Sequence, residues 1–184
     1  MSRVLVPLAE GFEEIEAVTV VDLLRRAKVE VVTAGLKDGP VKASRGIVMI
    51  PDMTLEQAAQ EEPFDMIVLP GGLPGADYLN ADDRVIGLLE RTDHNGGYIA
   101  AICAAPKVLA EHGLLDNKRA VSFPGVLESM QVEGMMLTDS PVVQDGRVIT
   151  SKGPGTAMDF ALQLIEVLEG TAVRQQVESG LQRP

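Results

Sequence analysis

The stretch Tyr98-Ile99-Ala100-Ala101-Ile102-Cys103-Ala104-Ala105-Pro106 decides how this chain is read, because an apolar run of strand type turns into a helical pattern within it. Outward from it, strand-like runs at 3–8, 29–34, 66–69, 97–102 and 147–150 alternate with helical patterns at 14–27, 55–60, 82–93, 106–112 and 156–168. Several of the strands are nearly continuous Val, Ile, Leu and Ala, as required where helices cover both faces of a mostly parallel sheet. The pattern therefore predicts a three-layer α/β sandwich. Gly and Pro fall singly or in short turns such as Pro70-Gly71-Gly72 and Asn95-Gly96-Gly97, without linkers or repeats, so one domain over 1–184 is expected. Segments 46–51, 121–125 and 133–143 read as short or edge strands with loops.

The charge balance narrows the function classes. Sixteen Lys and Arg face 27 Asp and Glu, a net charge of −11, and there is no Trp with only two Tyr and four Phe. Such a surface repels phosphate backbones and anionic lipids and offers few rings for stacking on bases, so neither nucleic acid nor membrane is an expected partner. No run approaches the roughly 18 apolar residues of a membrane span, and the apolar run near Met1 is too short for a signal peptide. With one cysteine and hence no internal disulfide, a cytoplasmic location is expected.

That cysteine has two readings. Beside the carboxyl end of a strand and the positive end of a helix, Cys103 sits where amides and the helix dipole favour a thiolate, hence a nucleophile or redox sensor. Equally, a lone cysteine is often a small buried hydrophobe. In an open α/β sheet the crevice lies at the strands' carboxyl ends, here 9–13, 70–75, 103–106 and 150–155.

Neither histidine suits the sulfur as a base. His112 lies about 13 Å further along the helical axis and His94 about 16 Å away across the strand, and both read as solvated helix-end residues. The remaining candidates are Glu10, Glu13, Glu14 and Glu16. Three of these read as caps or solvating groups, whereas Glu16 heads an apolar stripe with Val20, Leu23 and Ala27. Burial would raise its pKa, and a protonated carboxyl can donate to a thiolate and shuttle protons during attack on a carbonyl. The amides of Gly72 and Ala104 could form an oxyanion hole, although 70–75 also reads as a plain Gly-Pro turn. It matches neither a phosphate loop nor a dinucleotide fingerprint. Met130, Met135 and Met136 read as fillers of a core or interface, and two distant histidines with one cysteine make no zinc site. The run Gln60-Glu61-Glu62 reads as solvated surface.

Four segments together resemble the ThiJ/PfpI superfamily, in particular its YajL-like branch, over essentially the whole chain. They are Glu10-Gly11-Phe12-Glu13-Glu14-Ile15-Glu16, Val68-Leu69-Pro70-Gly71-Gly72, Ala101-Ile102-Cys103-Ala104-Ala105-Pro106 and Thr150-Ser151-Lys152-Gly153-Pro154-Gly155-Thr156. The resemblance implies a flavodoxin-like fold, with Cys103 as an easily oxidised thiol on a strained elbow, Glu16 as its hydrogen-bonding acid, and Gly72 and Ala104 as oxyanion-hole amides. It also implies a homodimer, with Arg45 near the interface or contacting an anion, and no cofactor or metal. Two departures matter. Ala104 stands where protease-like members carry histidine, so a Cys-His peptidase is not expected, and Phe123 stands where some close relatives have a histidine before the equivalent of Pro124.

The expected function is a cysteine-dependent, cofactor-free glyoxalase or deglycase acting on methylglyoxal, glyoxal or their early adducts, protecting against carbonyl and oxidative stress. The alternative is a redox-responsive chaperone or stress sensor acting through oxidation of Cys103. A glutamine-amidotransferase-like hydrolase ranks last, because no histidine follows His112.

Overall fold

The computed structural model describes residues 1–61 and 63–183; Glu62 of the acidic run lies outside them. In chain order the elements are β1 (Arg3–Leu8), α1 (Glu14–Arg26), β2 (Glu30–Gly35), β3 (Val41–Lys42), β4 (Val48–Met49), β5 (Met53–Thr54) and α2 (Leu55–Gln60). There follow β6 (Met66–Leu69), α3 (Gly75–Asn80), α4 (Asp83–His94), β7 (Tyr98–Ile102), α5 (Pro106–Glu111), β8 (Arg119–Ala120) and β9 (Met136–Leu137). The last are β10 (Val142–Asp145), β11 (Val148–Ser151), α6 (Ala157–Glu169) and α7 (Thr171–Gly180).

The main sheet has the order β10-β11-β7-β6-β1-β2-β5. Its neighbours pair in parallel except for the β10/β11 hairpin at one edge. Strand alternation divides the core into two layers. Val4, Val6, Leu8, Val68, Ala100 and Ile102 pack towards α1 and α6, whereas Leu5, Ile67, Leu69, Ile99 and Ala101 pack towards α2, α3, α4 and α5. The chain is thus a flavodoxin-like three-layer sandwich. Both sheet faces are covered, which is why the strands are apolar almost throughout instead of alternating with polar residues.

The structure adds elements where local pattern is weak. The six-residue α3 emerges directly from the Gly-Pro loop at 70–75, too short to show a helical period. Helix α7 lies against α6 with Val177 buried, Val173 and Leu181 half-buried to either side of it, and Arg174 paired to Glu166 at 2.8 Å, a narrow apolar stripe on an otherwise polar helix. Of the irregular segments, 46–51 carries β4, which pairs with β3, and 133–143 carries β9 and the start of the edge strand β10, whereas 121–125 holds no strand, β9 pairing instead with β8 just before it.

Candidate active site

The turn from β7 into α5 aims the thiol. Ile102 faces the layer of α1 and α6, so continued alternation would send residue 103 to the opposite face. Instead Cys103 adopts φ +66° and packs in the same layer as Ile102. A non-glycine residue in this left-handed region costs of order 1–3 kcal/mol and persists only where its surroundings impose it. Here they do so from both sides. The Cys103 N–H donates to the Ser151 carbonyl at 3.0 Å, and its carbonyl accepts from the Phe123 N–H at 2.9 Å.

The acid arrives from α1. Glu13 caps that helix, its carboxylate accepting the Glu16 N–H at 2.9 Å, which fixes Glu16 in the first turn on the face shared with Val20 and Leu23. Glu16 is fully buried. Its Oε2 accepts the Gly71 N–H at 2.8 Å, while the Glu13 N–H donates to the Gly71 carbonyl, also at 2.8 Å, so the start of α1 is pinned to the end of β6. Only glycine fits at this junction. A Cβ on Gly71 would stand 2.7 Å from Cys103 Cβ and 2.7 Å from Glu16 Oε2, and one on Gly72, at φ +87°, would stand 2.4 Å from the Glu13 nitrogen.

Electrostatics couple the two side chains. Burial pushes Glu16 up to about 7, helped by the charge on Glu13 and opposed by the Cys103 thiol and the Gly71 N–H. Among the described residues, Oε1 is buried without a hydrogen-bond partner. Such an oxygen is costly as a bare acceptor, and protonation turns it into a donor. Burial, and then the Glu16 carboxylate, push the Cys103 thiol up to about 12, opposed by the N–H groups of Ala104 and Gly72, which point at the sulfur. The pair is therefore neutral below about pH 7 and carries one negative charge above it, and it titrates as a unit. This differs from the expectation of a dipole-stabilised thiolate. Helix α5 has only six residues and begins three positions beyond Cys103, so burial outweighs it and two amides do what stabilising there is.

Glu16, Cys103, Gly72 and Ala104 thus converge at one point, and Arg45 is not among them. It lies exposed in the turn between β3 and β4, its N–H donating to Glu14 Oε1 at 2.8 Å and its guanidinium reaching only the Ser44 carbonyl at 3.5 Å. Glu14 is a correction to the sequence reading, since it is buried and anchors this turn through Ser44 and Arg45 instead of facing solvent. His94 is exposed at the end of α4, but His112 is half-buried and its enclosed Nε2 has no partner among the described residues, so it is not simply solvated. Met130 and Met135 pack against the core, whereas Met136 is exposed. Glu61 is exposed and pairs with Arg3 at 2.6 Å. Glu13 is the helix cap that the sequence allowed, whereas Gly71 and Ser151 escaped as site residues because each acts through the main chain; the signal available for Gly71 was the paired glycine at 71–72. A cleft of about 690 Å³ at the ends of β1 and β2, lined by Glu10, Lys37, Tyr78 and Arg84 among others, does not include Cys103.

A thiol on a left-handed elbow at the carboxyl edge of a parallel sheet, with a buried carboxyl and two amides beside it, marks the class of flavodoxin-like proteins with a cysteine at the strand-to-helix turn. Comparison with known proteins places the chain within that class. It belongs to the DJ-1/PfpI family, whose model matches residues 2–167. It is 45% identical over 178 residues to protein dj-1beta of Drosophila melanogaster, covering 96% of this chain and 95% of that one. The crystal structure of Drosophila melanogaster DJ-1beta superposes with a TM-score of 0.94 at 44% identity, covering 100% of both chains. The Caenorhabditis elegans protein named glutathione-independent glyoxalase DJR-1.2 is 43% identical over 162 residues, 88% of this chain and 85% of that one. Among the described residues no helix is long and apolar enough to cross a membrane.

Proposed function

We propose that this chain is a cysteine-dependent glyoxalase and deglycase that converts 2-oxoaldehydes such as methylglyoxal and glyoxal, and their early adducts on amines and thiols, to 2-hydroxy acids. The observation that carries this reading is the fully buried Glu16 carboxyl coupled to Cys103, with a pKa near 7 that suits proton transfer in both directions. The glyoxalase name of the Caenorhabditis elegans relative supports the same chemistry.

In the reaction, Sγ of Cys103 attacks the aldehyde carbon of methylglyoxal while the thiol proton passes through Glu16 to the carbonyl oxygen, giving a hemithioacetal. The Gly72 and Ala104 amides stabilise the oxyanion as it forms. Glu16 then removes the hydrogen on the former aldehyde carbon and returns a proton to the neighbouring carbon, leaving a thioester. Water cleaves the C–S bond, and lactate and the free thiol result; methylglyoxal plus water equals lactate, with no external oxidant. For an adduct, the departing amine or thiol takes its proton from Glu16. A cytoplasmic setting, where the thiol stays reduced, suits these steps. The test is lactate release from methylglyoxal by wild type, Cys103→Ala and Glu16→Ala. Loss in both variants is expected, and equal rates in all three would eliminate the reading.

A second reading rests on the same thiol. Cys103 is the sole cysteine and so has no resolving partner, and two equivalents of hydrogen peroxide would convert it to a sulfinate with release of two waters. This reading makes the chain a redox-responsive stress protein or chaperone. Intact-mass spectra after graded peroxide test it: failure of Cys103 to gain two oxygens before any methionine reacts removes the support.

A homodimer belongs to the proposal as well. Ile15 and Val18 on α1 and Ile47 and Val48 at the β3/β4 hairpin are exposed apolar side chains, and the Ser44 and Arg45 bonds to Glu14 hold hairpin and helix side by side.

A further inference from the structure

Two exposed apolar residues are joined by the main chain to the turn that carries the thiol, and the reaction steps above use neither. Leu73 is 59% exposed and directly follows Gly72, whose N–H points at the sulfur. Phe123 is 48% exposed, and its N–H donates to the Cys103 carbonyl. Its ring lies over Gly153, where an added Cβ would come within 3.4 Å of it. Gly153 in turn stands two residues beyond Ser151, whose carbonyl holds the Cys103 N–H. One apolar side chain is therefore tied by the main chain to each side of the elbow. The residues next to Leu73 and to Cys103 along the chain are small (Gly71, Gly72, Ala104, Ala105), and Lys152, which precedes Gly153, is engaged by Asp139.

Single exposed apolar residues are ordinary on a protein surface. Two of them secured by the main chain to the same turn, next to an acid with no exposure of its own, offer apolar surface beside a polar site. We infer that Leu73 and Phe123 form an apolar mouth to the site and set the substrate class: 2-oxoaldehydes whose second substituent is apolar, aryl or extended alkyl, are preferred over those with a methyl or charged group. The inference rests on the glyoxalase reading for its substrates but concerns a different part of the site. Oxidation, acid–base chemistry and the oxyanion amides stay with Cys103, Glu16, Gly72 and Ala104.

Two measurements separate the inference from its parent. The first is the ratio of kcat/KM for phenylglyoxal to that for methylglyoxal in wild type, Leu73→Asn, Phe123→Ser and Phe123→Leu. A fall of about tenfold is expected in Leu73→Asn and in Phe123→Ser, the size of one lost apolar contact, with Phe123→Leu keeping most of the wild-type ratio. The second needs no turnover. Because Cys103 is the only cysteine in the sequence, the intact-mass increment that is absent from Cys103→Ala reports its alkylation. Iodoacetamide and N-benzyliodoacetamide each form an S–C bond as the C–I bond breaks, iodide leaving and the thiol proton passing to solvent. Relative to free glutathione, wild type is expected to favour the benzyl reagent, and Leu73→Asn and Phe123→Ser are expected to lose that preference. If wild type shows the alkylation preference without lactate or mandelate formation, the apolar mouth stands and the glyoxalase reading falls. If the reagent preference is absent from wild type, or unchanged in both variants, the inference is overturned whatever the turnover.

Discussion

Glu16 keeps its proton up to about pH 7, where an ordinary carboxyl has already lost it, and this governs how the Glu16/Cys103 pair responds to pH. The attacking form has lost the first of the pair's two protons, so kcat/KM for methylglyoxal is expected to rise as pH passes through about 7, the Glu16 value, and then to stay level because the second ionisation is pushed up to about 12. Glu16→Gln should abolish the inflection near 7 and lower the plateau by about a hundredfold or more, the usual contribution of a positioned acid–base. The same burial affects stability. With its folded pKa raised from 4.5 to about 7, Glu16 stays protonated in the native state while the unfolded chain ionises, so its contribution is greatest below 4.5 and is lost as pH climbs to about 7. The loss amounts to about 3 kcal/mol. Urea midpoints measured at pH 5 and pH 8 are expected to show a smaller drop for Glu16→Gln than for wild type, with the variant the more stable protein at pH 8.

At the scale of elements, the site depends on how α1, β6 and β7 meet. The first turn of α1 is held by the Glu13 cap and by the Gly71 backbone, and Gly72 passes so close to the Glu13 nitrogen that no side chain fits. Gly72→Ala combines that collision with a left-handed φ, so a loss of roughly 2–4 kcal/mol in chemical denaturation is expected, together with slower alkylation of Cys103. Glu13→Ala removes a helix cap worth about 1 kcal/mol. It also removes a charge that raises Glu16, so the pH midpoint of kcat/KM should move downward.

At the scale of the whole molecule, Ile15, Val18, Ile47 and Val48 gather exposed apolar surface on one side of the chain, whose net charge of −11 otherwise disfavours association. Sedimentation velocity is expected to show a dimer for wild type and a monomer for Ile47→Glu; a monomeric wild type at micromolar concentration would remove the homodimer from the proposal. The layering of the fold was legible in the residues themselves. Continuous apolar runs such as Val4-Leu5-Val6 and Ile99-Ala100-Ala101-Ile102 report burial on both faces, and the stripe from Glu16 through Val20 and Leu23 reports which side of α1 turns inward. Helices α3 and α7 were not legible, because six residues carry less than two helical turns and α7 buries a single side chain. Nor was the placement of Glu14, whose neighbours Ser44 and Arg45 are thirty positions away.

Sequence alone determined the alternation of strand and helix, the positions of the strand ends, and the presence of one thiol with no histidine within reach, since these depend on local periodicity and distance along the chain. Tertiary structure alone decided that Cys103 bends to φ +66° into the layer of Ile102, that Gly71 leaves room for sulfur and carboxyl to meet, and that burial raises both of their pKa values. Those outcomes depend on solvent exclusion and on main-chain hydrogen bonds from segments far apart in sequence, which no local pattern of side chains encodes.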